Sequence, residues 1–180
     1  FAVGPGRLDE VPGLIESLSP GGPTVLAGHK ERLELPSAGA RRAEHPWSAY
    51  IAISRGCSCR CAYCVVPSVR GEMASRPPAE VLAEAEQLVG AGATELVLLG
   101  QNADAYGRDL KGEKASLAGL IRAVSALEPR GLRRLSFVTS HPRDISEDLL
   151  AAVAENPVVS PYLHMPAQSG SDRVLAAMRR

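Results

Sequence analysis

The chain has 180 residues, 45% of them apolar, with 20 basic against 20 acidic side chains and a formal net charge of zero. That is about one domain with enough apolar surface for a core; it excludes global disorder and a strongly basic nucleic-acid binder of the histone type, although a local basic patch would be hidden in the sum. Aromatics at 4% disfavour a base-stacking platform, and no apolar run approaches the ~20 residues of a membrane span.

The chain opens on Phe1 without a charged-then-apolar leader and stops at Arg180 inside a helical pattern, so it reads as a piece of a longer protein. Residues 1–46 are rich in glycine, proline and charge (Gly4-Pro5-Gly6, Pro20-Gly21-Gly22-Pro23, Arg41-Arg42). Leu8, Val11, Leu14, Ile15 and Leu18 have helical spacing, weakened by Pro12-Gly13, and short strands are expected at 24–27 and 32–35. This stretch reads as the end of an upstream domain plus a linker, with a regular domain over 47–180.

From residue 48 the pattern alternates. A strand is expected at 49–54, followed directly by a cysteine-rich loop. Pro77-Pro78 opens a helix with Val81, Leu82, Ala85, Leu88 and Val89 on one face and Gly90 and Gly92 at its end. A strand of the fully buried type follows at 95–99. Leu117, Leu120, Ile121, Val124 and Leu127 mark a second helix stopped at Pro129, and a third strand is expected at 135–139. Ser146 caps a third helix carrying Leu149, Leu150 and Val153; a fourth strand is expected at 158–163; Ser171 caps a fourth helix with Val174, Leu175 and Met178. Strand and helix repeated four times argue for a parallel sheet with crossover helices, an α/β fold. Ligands on such sheets bind at the carboxyl ends of the strands. The cysteine loop, Gly100-Gln101-Asn102, Thr139-Ser140-His141-Pro142-Arg143 and the run from His164 to Ser171 all fall there.

The four cysteines, Cys57, Cys59, Cys61 and Cys64, all lie in one short loop. A disulfide scaffold spreads its cysteines to staple distant segments, and single-cysteine catalysis needs no other three, which leaves metal binding. Cys57, Cys61 and Cys64 form C-x3-C-x2-C. Three thiolates so spaced can hold three irons of a [4Fe–4S] cluster and leave the fourth open to a small molecule. Structural zinc held by Cys57, Cys59, Cys61 and Cys64, as a non-catalytic metal-binding module, is the alternative. Zinc usually takes two separated pairs or added histidines, and no such partner pair occurs elsewhere in the chain. Cys59 stands outside the C-x3-C-x2-C register and reads as a bystander thiol.

The C-x3-C-x2-C loop after the first strand of the sheet, with Tyr63 just before the last cysteine, resembles the radical S-adenosylmethionine (SAM) superfamily. The wider run, Gly56-Cys57 to Cys64-Val65-Val66-Pro67-Ser68-Val69-Arg70-Gly71 and then Ser75-Arg76-Pro77, resembles its methylthiotransferase branch. Leu99-Gly100-Gln101-Asn102-Ala103-Asp104-Ala105-Tyr106, Thr139-Ser140-His141-Pro142-Arg143-Asp144 and Gln168-Ser169-Gly170-Ser171-Asp172 resemble the tRNA-modifying members. Relatives that modify a ribosomal-protein aspartate usually carry Gln-Asp-Thr where Gln101-Asn102 stands, and remain the alternative methylthiotransferase reading.

The resemblance implies a partial radical SAM (β/α) barrel with parallel strands, preceded by the tail of an N-terminal methylthiotransferase domain. It implies that Cys57, Cys61 and Cys64 ligate the [4Fe–4S] cluster, whose open iron chelates SAM. One electron, from a flavodoxin-type donor, then splits SAM to methionine and a 5′-deoxyadenosyl radical, which takes hydrogen from C2 of N6-isopentenyladenosine next to the anticodon in tRNA. A second [4Fe–4S] cluster, in the family's amino-terminal domain, supplies sulfur, and a second SAM methylates it; no cysteine precedes Cys57 to hold that cluster here. For SAM the resemblance implies contacts from Tyr63, Gln101, Asn102, Ser140 and Gln168. It assigns no catalytic proton-transfer residue. Arg70 and Arg76 are candidates for substrate phosphate or charge beside the cluster, with a solvated surface as the commoner fate, and His141 beside Pro142 reads as a turn residue. Reduced thiols and the start of the chain imply a cytoplasmic location with no membrane partner.

Overall fold

The computed structural model describes residues 2–17, 24–26, 46–112 and 114–180. Near the start, β1 (Ala2–Val3) pairs in parallel with β2 (Val25–Leu26). A 3-10 turn over Pro5–Glu10 runs into α1 (Val11–Glu16). The helical spacing read there does give a helix, but a single short one, with Leu8 and Ile15 exposed. The strand expected at 32–35 and most of the linker lie outside the described residues.

The main sheet begins at β3 (Ser48–Ala52). After Ile53 the chain leaves that sheet: β4 (Ser54–Arg55) pairs antiparallel with β5 (Ala74–Ser75), with α2 (Val66–Arg70) between them. This clip closes the cysteine loop at its base and splits the single strand expected at 49–54. Next come α3 (Pro78–Gly90), β6 (Glu95–Leu99), α4 (Leu117–Ser125), β7 (Arg134–Phe137), α5 (Glu147–Glu155) and α6 (Asp172–Ala177). The sheet order is β3-β6-β7, parallel throughout, with Ala49 opposite Leu96 and Leu96 opposite Leu135.

Local chemistry explains the boundaries. Pro78 starts α3 where no backbone donor is needed. A Schellman turn ends it: Gly92 N–H donates to Val89 O at 3.0 Å and Ala93 N–H to Leu88 O at 3.0 Å, with Gly92 in the left-handed region. The Oγ of Ser116 caps α4 through Gly119 N–H (3.1 Å), and that of Ser146 caps α5 through Leu149 N–H (3.1 Å). Ser171 occupies the corresponding place on α6, but its side chain makes no cap bond.

Two strand expectations are corrected. The third strand stops at Phe137 because Thr139 adopts φ +72°, outside extended geometry. The fourth strand is reduced to one parallel bridge between Leu135 and Val159. Its ladder holds two bonds, Leu135 N–H to Val158 O (2.7 Å) and Ser160 N–H to Leu135 O (2.8 Å); the next donor facing β7, Tyr162 N–H, turns back to Ser160 Oγ at 3.4 Å instead.

The core lies on one face of the sheet. Ala49, Ile51, Leu96, Leu98, Leu135 and Phe137 point into it, against Val81, Ala85 and Val89 of α3, Leu120, Ile121 and Val124 of α4, and Leu149 and Ala152 of α5. The alternate residues are less covered: Tyr50 is exposed, and Val97 and Leu99 are half-buried. The strand at 95–99 is therefore buried on one face, not on both. Parallel strands with helices on one side leave the carboxyl ends of β3, β6 and β7 side by side, and the polar loops leave the sheet there.

Gly56 governs the entry to the cysteine loop. It adopts φ +68°, and a Cβ there would sit 2.2 Å from Glu72 O and 2.5 Å from Gly71 O, both backbone atoms. That close approach lets Cys57 N–H donate to Gly71 O at 3.1 Å. Gly56→Ala is expected to lose at least about 1–2 kcal/mol, the left-handed penalty alone, with the backbone overlap adding to it; equilibrium denaturation against the wild-type chain measures the loss.

Candidate metal centre

Cys57 and Cys59 are buried, Cys61 and Cys64 half-buried, and all four are free thiols. The loop is pinned along its length. Met73 N–H donates to Ser58 Oγ at 3.1 Å, Cys64 N–H to Cys61 O at 3.1 Å, and Ala62 N–H to Met178 O, just past α6, at 2.8 Å. Cys59 N–H donates to Cys57 Sγ at 3.4 Å. Burial pushes the Cys57 thiol up to about 11, so in the metal-free protein it keeps its proton, and a metal must displace that proton to bind.

Beside the loop lies a cleft of about 270 Å³ whose walls include Cys57, Cys59, Asn102, Arg108, Arg143 and Asp144. Three of the four loops expected at the strand ends therefore do converge. The fourth touches them through His164 O, which accepts from Ser140 N–H at 3.1 Å. The sequence reading missed the two buried carboxylates that tie these loops. Asp144 accepts from Asn102 Nδ2 (2.6 Å), Arg108 Nη1 (2.5 Å) and Arg143 Nε (3.4 Å). Burial works to raise its pKa, but these donors outweigh burial and hold it below the usual carboxylate range. Asp104 accepts from Ser140 Oγ (2.9 Å) and His141 N–H (3.1 Å); here burial prevails and its pKa is raised.

The residues expected to contact SAM are placed differently from one another. Asn102 is buried in the cleft wall; its amide nitrogen is committed to Asp144, while its Oδ1 has no partner among the described residues. The Oε1 of Gln101 is likewise buried without one. Ser140 is buried and donates to Asp104, behind the cleft wall. Tyr63 is 52% exposed and accepts from Arg180 Nη1 at 3.2 Å, and Arg180 also reaches Pro166 O. Gln168 is exposed with φ +70°. Arg76 is not a free cation for phosphate: it pairs with the buried Glu84 at 2.5 Å and donates to Ala52 O at 2.9 Å. Arg70, at the end of α2, is exposed. Cys59, expected as a bystander, is instead a buried acceptor for Arg143 Nη2 (3.1 Å) and Asn102 Nδ2 (3.5 Å).

The donor set fits an iron–sulfur cluster. Three free thiols share one loop, one backbone N–H points at a sulfur, and a cleft lined by Asn102, whose Oδ1 is unpaired among the described residues, adjoins them. Among the described residues no three cysteine, histidine or acidic side chains gather to hold a single metal ion. A cuboidal cluster takes each thiolate at a different iron, which three thiols along one loop can supply.

The model of the radical SAM superfamily matches residues 51–180. This chain belongs to that superfamily. Radical SAM proteins use a [4Fe–4S] cluster and SAM, the pair for which the cysteine loop is suited. Among curated relatives, tRNA-2-methylthio-N(6)-dimethylallyladenosine synthases are similar to it. The protein of that name from Streptomyces viridosporus is 48% identical over 83% of this chain and 29% of its own length. That from Thermobifida fusca is 48% identical over 83% and 30%, and that from Parafrankia sp. 52% identical over 78% and 28%. The chain thus spans less than a third of the relatives it matches. Among solved structures, the radical SAM methyltransferase TsrM from Kitasatospora setae, with cobalamin and a [4Fe-4S] cluster bound, aligns with TM-score 0.61 at 18% identity over 79% of this chain and 29% of that one. At that identity the likeness is one of fold.

His141 is expected to make the stability of the strand-end loops depend on pH. It is buried, its Nδ1 accepts from Arg143 N–H at 3.2 Å, and its Nε2 has no partner among the described residues. That bonding selects the neutral ring with hydrogen on Nε2. Burial, then Arg180 and Arg143 against Asp144, lowers its pKa. The unfolded chain takes up a proton near its ordinary value of about 6.5 while the fold does not, so stability falls as pH drops through that value toward the folded one. His141→Asn, which keeps an acceptor, is expected to remove this part of the slope; denaturation midpoints of both proteins from pH 8 to 5 read the difference.

Proposed function

We propose that this chain is the SAM-cleaving core of a tRNA methylthiotransferase, which adds a methylthio group to C2 of N6-isopentenyladenosine next to the anticodon. The observation that carries the reading is the meeting of the cysteine loop with the loops after β6 and β7 in one cleft, in a chain 48% identical to a protein named as such a synthase. In this proposal residues 47–180 form the radical SAM core, and residues 1–46 are the end of the preceding methylthiotransferase domain plus a linker. The reaction takes place in the cytoplasm, with a flavodoxin-type protein as electron donor. Among the described residues no helix is long and apolar enough to cross a membrane.

Cys57, Cys61 and Cys64 hold the [4Fe–4S] cluster, which when bound supplies the electron that cleaves SAM. Asn102 Oδ1 and Gln101 Oε1 are acceptors suited to the amino group of SAM, and Arg108 and Arg143 at the cleft wall suit its carboxylate. Tyr63 borders the adenine. Ser140 holds Asp104 and through it the shape of the strand-end loop. Gln168 meets the ligand from the loop before α6. These residues bind and orient SAM and keep water from it.

The test is anaerobic. Reconstituted with iron and sulfide and reduced with dithionite, the 180-residue chain is expected to release 5′-deoxyadenosine from SAM, and Cys57→Ala to fall to background. The same chain mixed with isopentenylated tRNA is expected to form no methylthio product, because its four cysteines offer no ligands for a second cluster. A reduced cluster that leaves SAM intact would overturn the proposal.

A further inference from the structure

We infer that Cys59, outside the C-x3-C-x2-C register, is a positioning residue that docks the cysteine loop onto the loops after β6 and β7 and holds the Arg143 cation at the edge of the metal centre. The inference rests on the radical SAM reading of Cys57, Cys61 and Cys64.

Four observations converge on this sulfur. Cys59 is buried. Its Sγ accepts from Arg143 Nη2 at 3.1 Å and from Asn102 Nδ2 at 3.5 Å, one donor from each of two strand-end loops. Its own N–H donates to Cys57 Sγ at 3.4 Å, so the residue bonded to both strand-end loops also touches a cluster-binding sulfur. Cys57, Cys59, Asn102 and Arg143 line the same cleft. The donors are not free to drift, because Asp144, its side chain 2% exposed, holds both. A bystander thiol would have no reason to sit where an amide and a guanidinium both point at it. Sulfur suits the position: it is large and polarisable, and accepts over longer distances than a hydroxyl.

Two consequences follow. Without the sulfur, the loop loses its side-chain bonds to the strand ends, and a cluster it carries is released more readily, in the way that loss of outer-shell partners weakens metal sites by roughly 10–100-fold. Arg143, much of whose side chain faces solvent, also loses its hold near the centre. A nearby cation favours the reduced, more negative cluster, so removing its charge moves the midpoint potential to more negative values. That effect of Arg143 should depend on Cys59 being present.

The experiment compares the wild-type chain, Cys59→Ala, Cys59→Ser, Arg143→Gln and the double variant Cys59→Ala/Arg143→Gln, all reconstituted anaerobically. Iron content, chelator-driven iron loss and the midpoint potential are measured, the last by EPR-monitored titration. Deuterium exchange over residues 56–64 is followed in the metal-free forms. Full iron content is expected in all five proteins. Iron loss in Cys59→Ala is expected to be about tenfold faster or more, with partial rescue in Cys59→Ser and faster exchange in the metal-free loop. Arg143→Gln is expected to shift the potential negative in the wild-type background and to have little further effect in Cys59→Ala, the non-additivity of two groups in contact. Equal iron loss and an additive Arg143→Gln shift would overturn the inference and return Cys59 to a bystander. Loss of the cluster in Cys59→Ala would overturn it differently, by making Cys59 a ligand. A wild-type chain that builds no cluster would overturn the radical SAM reading itself, and the inference with it.

Discussion

The site depends on a buried carboxylate. Asp144 lies almost wholly out of solvent and stays charged because Asn102, Arg108 and Arg143 all donate to it. A carboxylate without such donors would be costly to bury. With them it becomes a knot: it fixes Asn102 and Arg108 in the connection after β6, and Arg143 after β7. Through Asn102 and Arg143 the knot reaches the sulfur of Cys59, and so the loop that carries the other three cysteines. Buried polar networks of this kind rigidify only when every member is satisfied. Here one atom of the network, Asn102 Oδ1, is left without a partner among the described residues, and Asn102 lines the cleft.

A second knot supports the first. Thr139, a β-branched residue, adopts φ +72° just past the end of β7. Such a residue is rarely found there, and strain of this kind persists only where the surroundings over-determine it. They do: Thr139 O accepts from Ala103 N–H at 2.9 Å, and Asp104 takes both Ser140 Oγ and His141 N–H. The sharp turn follows the end of the strand and leads into 140–144, which carries Arg143 and Asp144 to the cleft. The apolar core beneath sets the positions of the strand ends; the two carboxylates set what those ends present.

Much of this was legible in the sequence, and the unread parts share a cause. Cys57, Cys61 and Cys64 announce themselves by spacing, and Leu117 to Val124 or Val81 to Val89 by helical periodicity. The β4–β5 clip did not, since two-residue strands such as Ser54–Arg55 have no period to detect. The fourth strand failed because an apolar run at 158–163 has a strand's sequence signature, while in the fold Tyr162 N–H turns back to Ser160 Oγ and the ladder ends there. Ser140 reads as a ligand contact but is spent on Asp104. Asp104, Asp144 and Cys59 were the deeper omissions. A charged or thiol residue in a loop has the same sequence signature whether it is solvated or buried, and only its partners, here brought from 36 to 84 residues away, decide which.

The cleft beside the cysteine loop must present an open iron to SAM if this chain is to cleave it. The most direct measurement is EPR of the anaerobically reconstituted, reduced chain with and without SAM. A [4Fe–4S] signal whose g-values change when SAM is added is the predicted result, since only an iron without a protein thiolate has room for the ligand. A cluster signal indifferent to SAM would contradict it, as would a colourless protein carrying zinc in place of iron.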